Sequence, residues 1–368
     1  MKIPFLSLSA MHSPIREEML MAFQDVLDSN WFILGDRLKS FEREYADFNE
    51  VKYAVGVSNG LDALHLALKI LGIGEGDEVI LPSNTYIATV LAVLYVKATP
   101  VFVEPSEFTY NINVRLIEEK ISSRTKCIIP VHLYGQACEM DRIMDIATRY
   151  GLFVVEDNAQ SHSARYNQKM TGSFGHINAT SFYPGKNLGA LGDGGAITTN
   201  MEEYASDAIV YRNYGSRKKY YNEVVGFNMR LDECQAAILS VKLRRVLEWT
   251  NQRNELASFY NELFEGIEEV VVPVCADNAS HVYHLYVIQA RNRDLLQDHL
   301  SKCGIGTLIH YPIPPHLQQA CSTLGYVKGS FPIAEKLASS VLSLPLWPGM
   351  SYSDVEYVCS TIRSFYRS

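Results

Sequence analysis

Four things are scarce in this 368-residue sequence, and each scarcity excludes something. Basic charge is not in excess: 33 Lys and Arg stand against 41 Asp and Glu, a formal net charge of −8, so no broad positive field draws in a polyphosphate backbone and nucleic acid is excluded as a partner. Long apolar runs are missing; the longest, IATVLAVLYV at 87–96, is well short of the roughly 18 residues that span a bilayer, so a membrane is excluded too. Cysteine is thin and unpatterned. Its seven residues form no Cys-x-x-Cys pair, and no histidine stands at metal-ligand spacing, so we expect reduced thiols, a cytoplasmic setting and no metal. Proline-rich, repetitive or single-charge blocks are absent, which predicts order throughout. The opening MKIPFLSLSA imitates a signal peptide, but Pro4, Ser7 and Ser9 break its apolar stretch and no export is expected. Two basic clusters, Arg217-Lys218-Lys219 and Lys242-Leu243-Arg244-Arg245, are expected on solvated faces, with a small phosphate-bearing ligand left open for the first.

What is present is alternation. From residue 51 to about 200, short apolar runs at 52–57, 77–82, 99–104, 127–133, 152–157, 178–183 and 195–200 are separated by helical stretches at 61–71, 85–95 and 139–150. Strands apolar on both faces suit a buried, mostly parallel sheet, and the expected fold class is α/β, doubly wound. Helical patterns follow at 201–213 and 231–263, then a strand at 281–290 and helices at 293–303 and 351–366. The expectation is a large domain over 1–250, N-terminal segment included, and a smaller C-terminal α+β domain over 251–368, joined by a long helix.

In an open α/β sheet, ligands bind at the carboxyl ends of the strands. Three polar stations fall there. Ser58-Asn59-Gly60 closes one strand and opens a helix, which makes either an ordinary capping turn or a phosphate site on backbone N–H groups. Asp157 ends the run LFVVED; a carboxylate after four apolar residues calls for a cation, or else serves as a helix N-cap. Lys186 sits in SFYPGKNLGALGDGGA, where apolar and glycine-rich surroundings can desolvate an amine and make it nucleophilic. One cofactor uses a lysine, an aspartate, a hydroxyl such as Ser181 and a helix N-terminus together: pyridoxal phosphate (PLP).

The stretches SFYPGKNLGALGDGGA, VVEDNAQSHSA, PSNTYIAT, HLYGQACEMD, GFNMRLDECQAA and HYPIPPH resemble, nearly end to end, the DegT/DnrJ/EryC1/StrS family of nucleotide-sugar aminotransferases. The resemblance implies a fold-type-I PLP enzyme, a homodimer with its active site shared between subunits. It makes Lys186 the lysine that holds PLP as a Schiff base and Asp157 the partner of the pyridinium nitrogen. Gln160 touches the ring's hydroxyl edge, Tyr86 stacks on the ring, and the backbone of Gly60 and Leu61 with the Ser181 hydroxyl holds the phosphate. Leu61 stands where many relatives have Thr, so backbone amides do more there. Asn228 matches a residue that reaches the neighbouring subunit's phosphate, and His310 and Tyr183 face the sugar. His162 reads as a core histidine, Asp193 as part of a glycine turn without a catalytic role, and Arg230 and Arg212 are both open as ligands for the amino donor's carboxylate.

Relatives with His at the lysine position are dehydratases, so Lys186 favours amino transfer. SFYPGKN resembles the subgroup that aminates C3 of dTDP-linked 3-keto-6-deoxyhexoses, with L-glutamate as donor and a dTDP-3-amino-3,6-dideoxyhexose as product. Amination at C4 of a dTDP- or UDP-4-keto-6-deoxyhexose, dehydration, and a non-catalytic nucleotide-sugar-binding regulator stand as alternatives.

Overall fold

Strands form where the chain can be covered by helices on both sides, as the computed structural model, which describes residues 2–367, makes plain. In chain order they are β1 Tyr53–Val57, β2 Glu78–Pro82, β3 Thr99–Val103, β4 Thr125–Ile128, β5 Phe153–Asp157, the short pair β6 Arg165–Tyr166 and β7 Lys169–Met170, β8 Ile177–Ser181 and β9 Gly195–Thr199. Seven of these make one sheet in the order β1-β9-β8-β5-β4-β2-β3, parallel from β8 to β3, with β9 antiparallel to both of its neighbours. Successive side chains alternate faces. Val79 and Leu81 therefore join one apolar core while Ile80 joins the other, as Val155 and Val154 do. Full burial of such a side chain contributes about 1.5–3 kcal/mol.

Helices over Gly60–Ile70, Ile87–Tyr95 and Met140–Tyr150 cross between strands, as their periodicity predicts. Gly151 ends the last of them in the left-handed region (φ 65°), its N–H bonding the Ala147 carbonyl. Two differences from the sequence expectation have physical causes. The run 127–133 stops being a regular strand at Ile128, two residues before Pro130, which has no N–H for a ladder. The 231–263 pattern is two helices, Glu233–Leu243 and Val246–Phe264; the Arg245 N–H bonds the Lys242 carbonyl in a tighter turn that breaks the axis but keeps the apolar spacing.

After residue 200 come the exposed ribbon β10 Ser216–Lys218 with β11 Tyr221–Asn222, and an antiparallel sheet of β12 Val270–Val271, β13 Tyr286–Ala290 and β14 Val341–Leu344. The second sheet has its own core, with Leu256, Tyr260, Tyr286, Ile288, Leu342 and Val358. We propose a division of the chain near residue 250. Ile3, from the segment counted with the large domain, packs into this C-terminal core and bridges Ile305. Among the described residues no helix is long and apolar enough to cross a membrane, no group of side chains is set to hold a metal, and all seven cysteines are free.

Candidate active site

A cavity of about 690 Å³ opens at the carboxyl ends of β1, β5 and β8. Its wall includes Gly60, Leu61, Tyr86, Asp157, Gln160, Ser181, Tyr183, Lys186 and His310, so nine of the ten residues singled out in the sequence converge on one space. Asn228 does not. It lies exposed, with its backbone bridged to Asn213, off the wall of this cavity.

At one end of the cavity the Gly60–Ile70 helix begins. An α-helix leaves its first four N–H groups without intrahelical partners. Here the Asn59 side chain takes one of them, accepting from the Asp62 N–H (2.9 Å), while its carbonyl accepts the first regular helical bond, from the Ala63 N–H (3.1 Å). The N–H groups of Gly60 and Leu61 remain at the helix mouth, where the dipole favours an anion. Ser181, at the end of β8, closes over the same spot: a Cβ added at Gly60 would stand 2.7 Å from the Ser181 Cβ. Gly195 is just as constrained, since a Cβ there would meet the Asn59 carbonyl at 2.5 Å.

Asp157 is 6% exposed at the end of β5. Burial pushes its carboxyl above the ordinary range, an effect opposed by the Thr89 hydroxyl, which donates to Oδ2 (2.9 Å), by the Ala159 N–H on Oδ1 (3.2 Å), and by the charges of Lys186 and His132. Thr85 in turn shares a 2.7 Å hydrogen bond with Thr89. Across the cavity the Lys186 amine is brought down to about 8 by desolvation, which the Asp157 charge partly offsets. The histidines around it are neutral: burial and Lys186 hold His310 at about 4, His162 at about 3 and His284 well below the imidazole range. His162 is a core residue, packed on Phe182 and hydrogen-bonded to the Thr180 hydroxyl.

Gln160 accepts from the Tyr134 N–H (2.6 Å) and donates to the Tyr311 hydroxyl (3.1 Å), keeping one amide N–H for the cavity. Tyr86 is 52% exposed with its ring 5.1 Å from that of Tyr311. His310 is fixed through Nδ1 to the Ser343 hydroxyl (2.8 Å) and accepts from the Tyr134 hydroxyl on its carbonyl. Arg212 drops out as a ligand for a substrate carboxylate, because it is 5% exposed and bound to the Glu42 carboxylate and the Gly56 carbonyl. Arg230 rests over the Tyr214 ring and donates to the Asn213 side chain, away from the cavity. Sequence reasoning passed over Thr89, Tyr311 and His284, and it placed Asp193, which lines the cavity, only in a glycine turn. Only Thr89 carried a signal: Thr85 and Thr89 are four apart, one helical turn, in a segment otherwise apolar.

A buried carboxyl facing a desolvated amine, a helix N-terminus backed by a hydroxyl, and an aromatic ring on the wall fit the pyridine nitrogen, aldehyde, phosphate and ring face of PLP. Residues 13–363 match the DegT/DnrJ/EryC1/StrS aminotransferase family. A protein of Aneurinibacillus thermoaerophilus named dTDP-3-amino-3,6-dideoxy-alpha-D-galactopyranose transaminase is 50% identical over 363 residues, 99% of each chain. Among solved structures, DesV of S. venezuelae, in complex with a ketimine intermediate, is 45% identical with a TM-score of 0.98, covering 100% of this chain and 99% of its own. NtdA of Bacillus subtilis, solved with bound PMP, is 32% identical with a TM-score of 0.90, covering 98% of this chain and 85% of its own.

Proposed function

The chain belongs to the DegT/DnrJ/EryC1/StrS aminotransferase family, and from that premise we propose that it moves the amino group of L-glutamate to C3 of a dTDP-linked 3-keto-6-deoxyhexose. The products are 2-oxoglutarate and a dTDP-3-amino-3,6-dideoxyhexose. PLP is the cofactor. The observation that carries the reading is the pairing, across one cavity, of Lys186 near pKa 8 with the buried carboxyl of Asp157.

When bound, PLP supplies a ring that accepts the electron pair released at the reacting carbon. The chain's own residues do the rest. Lys186, with a pKa close to neutrality, both takes and returns a proton, which lets one side chain serve the amino-donor carbon and then the sugar carbon in reverse order. Asp157 would hold a proton on the ring nitrogen; hydrogen-bonded by Thr89 and away from bulk water, its carboxyl is placed where such a charge interaction is strong. The N–H groups of Gly60 and Leu61 and the Ser181 hydroxyl would bind the phosphate, Tyr86 would lie against the ring, and Gln160 would offer its remaining N–H to the ring hydroxyl. Tyr183 and His310 line the side left for the sugar, His310 as a neutral imidazole held by Ser343. Because the donor must leave as an oxoacid before the sugar enters the same space, the kinetics are ping-pong.

The C3 assignment rests on SFYPGKN and is supported by the Aneurinibacillus relative named for a 3-amino-3,6-dideoxy sugar. We also take the enzyme to be a cytoplasmic homodimer: Asn228 sits exposed off its own cavity, where it suits a role in the site of a second copy. The test offers PLP-loaded protein L-glutamate with a dTDP-3-keto- or a dTDP-4-keto-6-deoxyhexose and follows 2-oxoglutarate beyond one turnover. Sustained release with the 3-keto sugar alone is expected. Release with only the 4-keto sugar would overturn the regiochemistry, and none with either would overturn the transfer.

A further inference from the structure

Lys242, expected on a solvated face, is 1% exposed in the middle of the protein. No carboxylate pairs with it among the described residues; its one hydrogen bond runs from Nζ to the carbonyl of Gly189, and burial alone lowers its amine to about 8. A buried ammonium without a counter-ion is costly, and an apolar side chain would fill the same space without that cost. What the amine supplies is a donor, and its acceptor lies in the turn that carries Lys186.

That turn is drawn tight. The Lys186 N–H bonds the Tyr183 carbonyl (2.8 Å) and the Ala190 N–H the Phe182 carbonyl (2.7 Å). Gly189 closes it so sharply that a Cβ would stand 2.4 Å from the Pro184 oxygen, so a shift at Gly189 is passed straight to residues 183–186. The Glu233–Leu243 helix grips the turn twice. Gln235 accepts the Leu191 N–H (2.8 Å), and Lys242, seven residues and two helical turns further on, presents the same face to Gly189. On the far side Asn187 donates to the Val282 carbonyl (3.0 Å).

We propose that Lys242 is a positioning residue for Lys186: its buried ammonium, bonded to the Gly189 carbonyl, holds the 183–191 turn in the shape that delivers the Lys186 amine into the cavity. The link to catalysis rests on the reading of Lys186 given above; the mechanical part does not. Lys242→Met keeps the stem and removes the donor. In the full-length, unloaded protein, the Lys186, Ala190 and Leu191 amides should exchange hydrogen at least tenfold faster, with β13 unchanged, and the rate at which trinitrobenzenesulfonate labels Lys186 should change several-fold. In the loaded enzyme kcat should fall about tenfold while KM for the keto sugar stays within twofold. Unchanged exchange and labelling would overturn the proposal. Should the variant not fold, the unmutated protein decides: the 186–191 amides must open together with those of the Glu233–Leu243 helix, and independent, far faster exchange would overturn it. Lys186→Ala separates the two readings, since turnover by that variant sinks the role of Lys186 while leaving the exchange result on the turn standing.

Discussion

Thr89→Val removes a single oxygen from the support of Asp157 and nothing from the cavity's apolar wall. The lost bond is the 2.9 Å donation to Oδ2, one of two hydrogen bonds on a carboxyl that is 6% exposed. A hydrogen bond to a charged group contributes about 1.5–3 kcal/mol, which at about 1.4 kcal/mol per factor of ten is roughly a ten- to hundred-fold swing between the ionised and protonated forms. Its sign is fixed: burial already raises the Asp157 carboxyl, Thr89 opposes that, and the variant therefore holds its proton to higher pH. PLP needs the ionised form opposite its ring nitrogen. At high pH, where Asp157 is ionised in both proteins, affinities should nearly coincide; as pH falls the variant must first lose a proton, and its Kd should rise above the parent's toward roughly ten- to hundred-fold. Titration of unloaded protein with PLP, followed by absorbance from pH 9 down to pH 6, measures the ratio directly. A ratio that stays flat with pH, or that grows toward high pH, would refute the account of Asp157. Thr85→Val, one bond further out, should show the same trend with a smaller amplitude.

Other changes test other parts of the site. Lys186→Met should stabilise the unloaded protein near pH 7 by on the order of 3 kcal/mol, taking about 1.4 kcal/mol for each tenfold change in proton affinity between the ordinary lysine value of 10.5 and the folded value of about 8; the unmutated protein should gain that stability only as pH rises from about 8 toward 10.5, and equal melting curves for the two at pH 7 would contradict the desolvation argument. Gly60→Ala forces a Cβ to within 2.7 Å of the Ser181 Cβ and should weaken PLP roughly tenfold while leaving pyridoxal, which lacks the phosphate, within twofold; equal losses for both ligands would move the phosphate elsewhere. Glu156→Gln leaves the N–H groups of Gly172, Phe174 and Gly175 and the His132 ring with a mismatched partner, and denaturant unfolding should show a loss of about 3–5 kcal/mol.

The sheet was legible because its strands are apolar on both faces, which leaves few other homes for runs such as EVILP or FVVED; the strand ends moved by a residue or two, except in the 127–133 run, which stops five residues early at Ile128. The site was legible where chemistry and turn geometry coincide, at Asn59-Gly60, at Asp157 and at Lys186. What stayed hidden was of two kinds. Thr89 and Tyr311 matter through contacts with Asp157 and Gln160, residues 68 and 151 positions away, and no local pattern reports such separations. Lys242 was misread because a lysine beside two arginines signals solvent, whereas helix phase turns Lys242 inward while Arg244 and Arg245 stay outside with Glu18. The break at Arg244–Arg245 was invisible for the same reason: apolar spacing carries on through it.

The cavity wall runs from Phe5 to Leu346 in sequence, and the strand-like contact of Ile3 with Ile305 ties the segment just before Phe5 to the C-terminal part of the chain. On a ribosome adding roughly 5–20 residues per second, the 341 positions between Phe5 and Leu346 take on the order of 20–70 s to emerge. Throughout that interval Lys186 and Asp157 already exist, on a sheet whose strands are complete by Thr199, without the lining that His284, Leu285, His310 and Leu344 supply. An amine and an aldehyde-bearing cofactor can meet on such a half-made chain, but only the finished chain can close over them, so the order of synthesis keeps a retentive site from appearing before the fold that governs it.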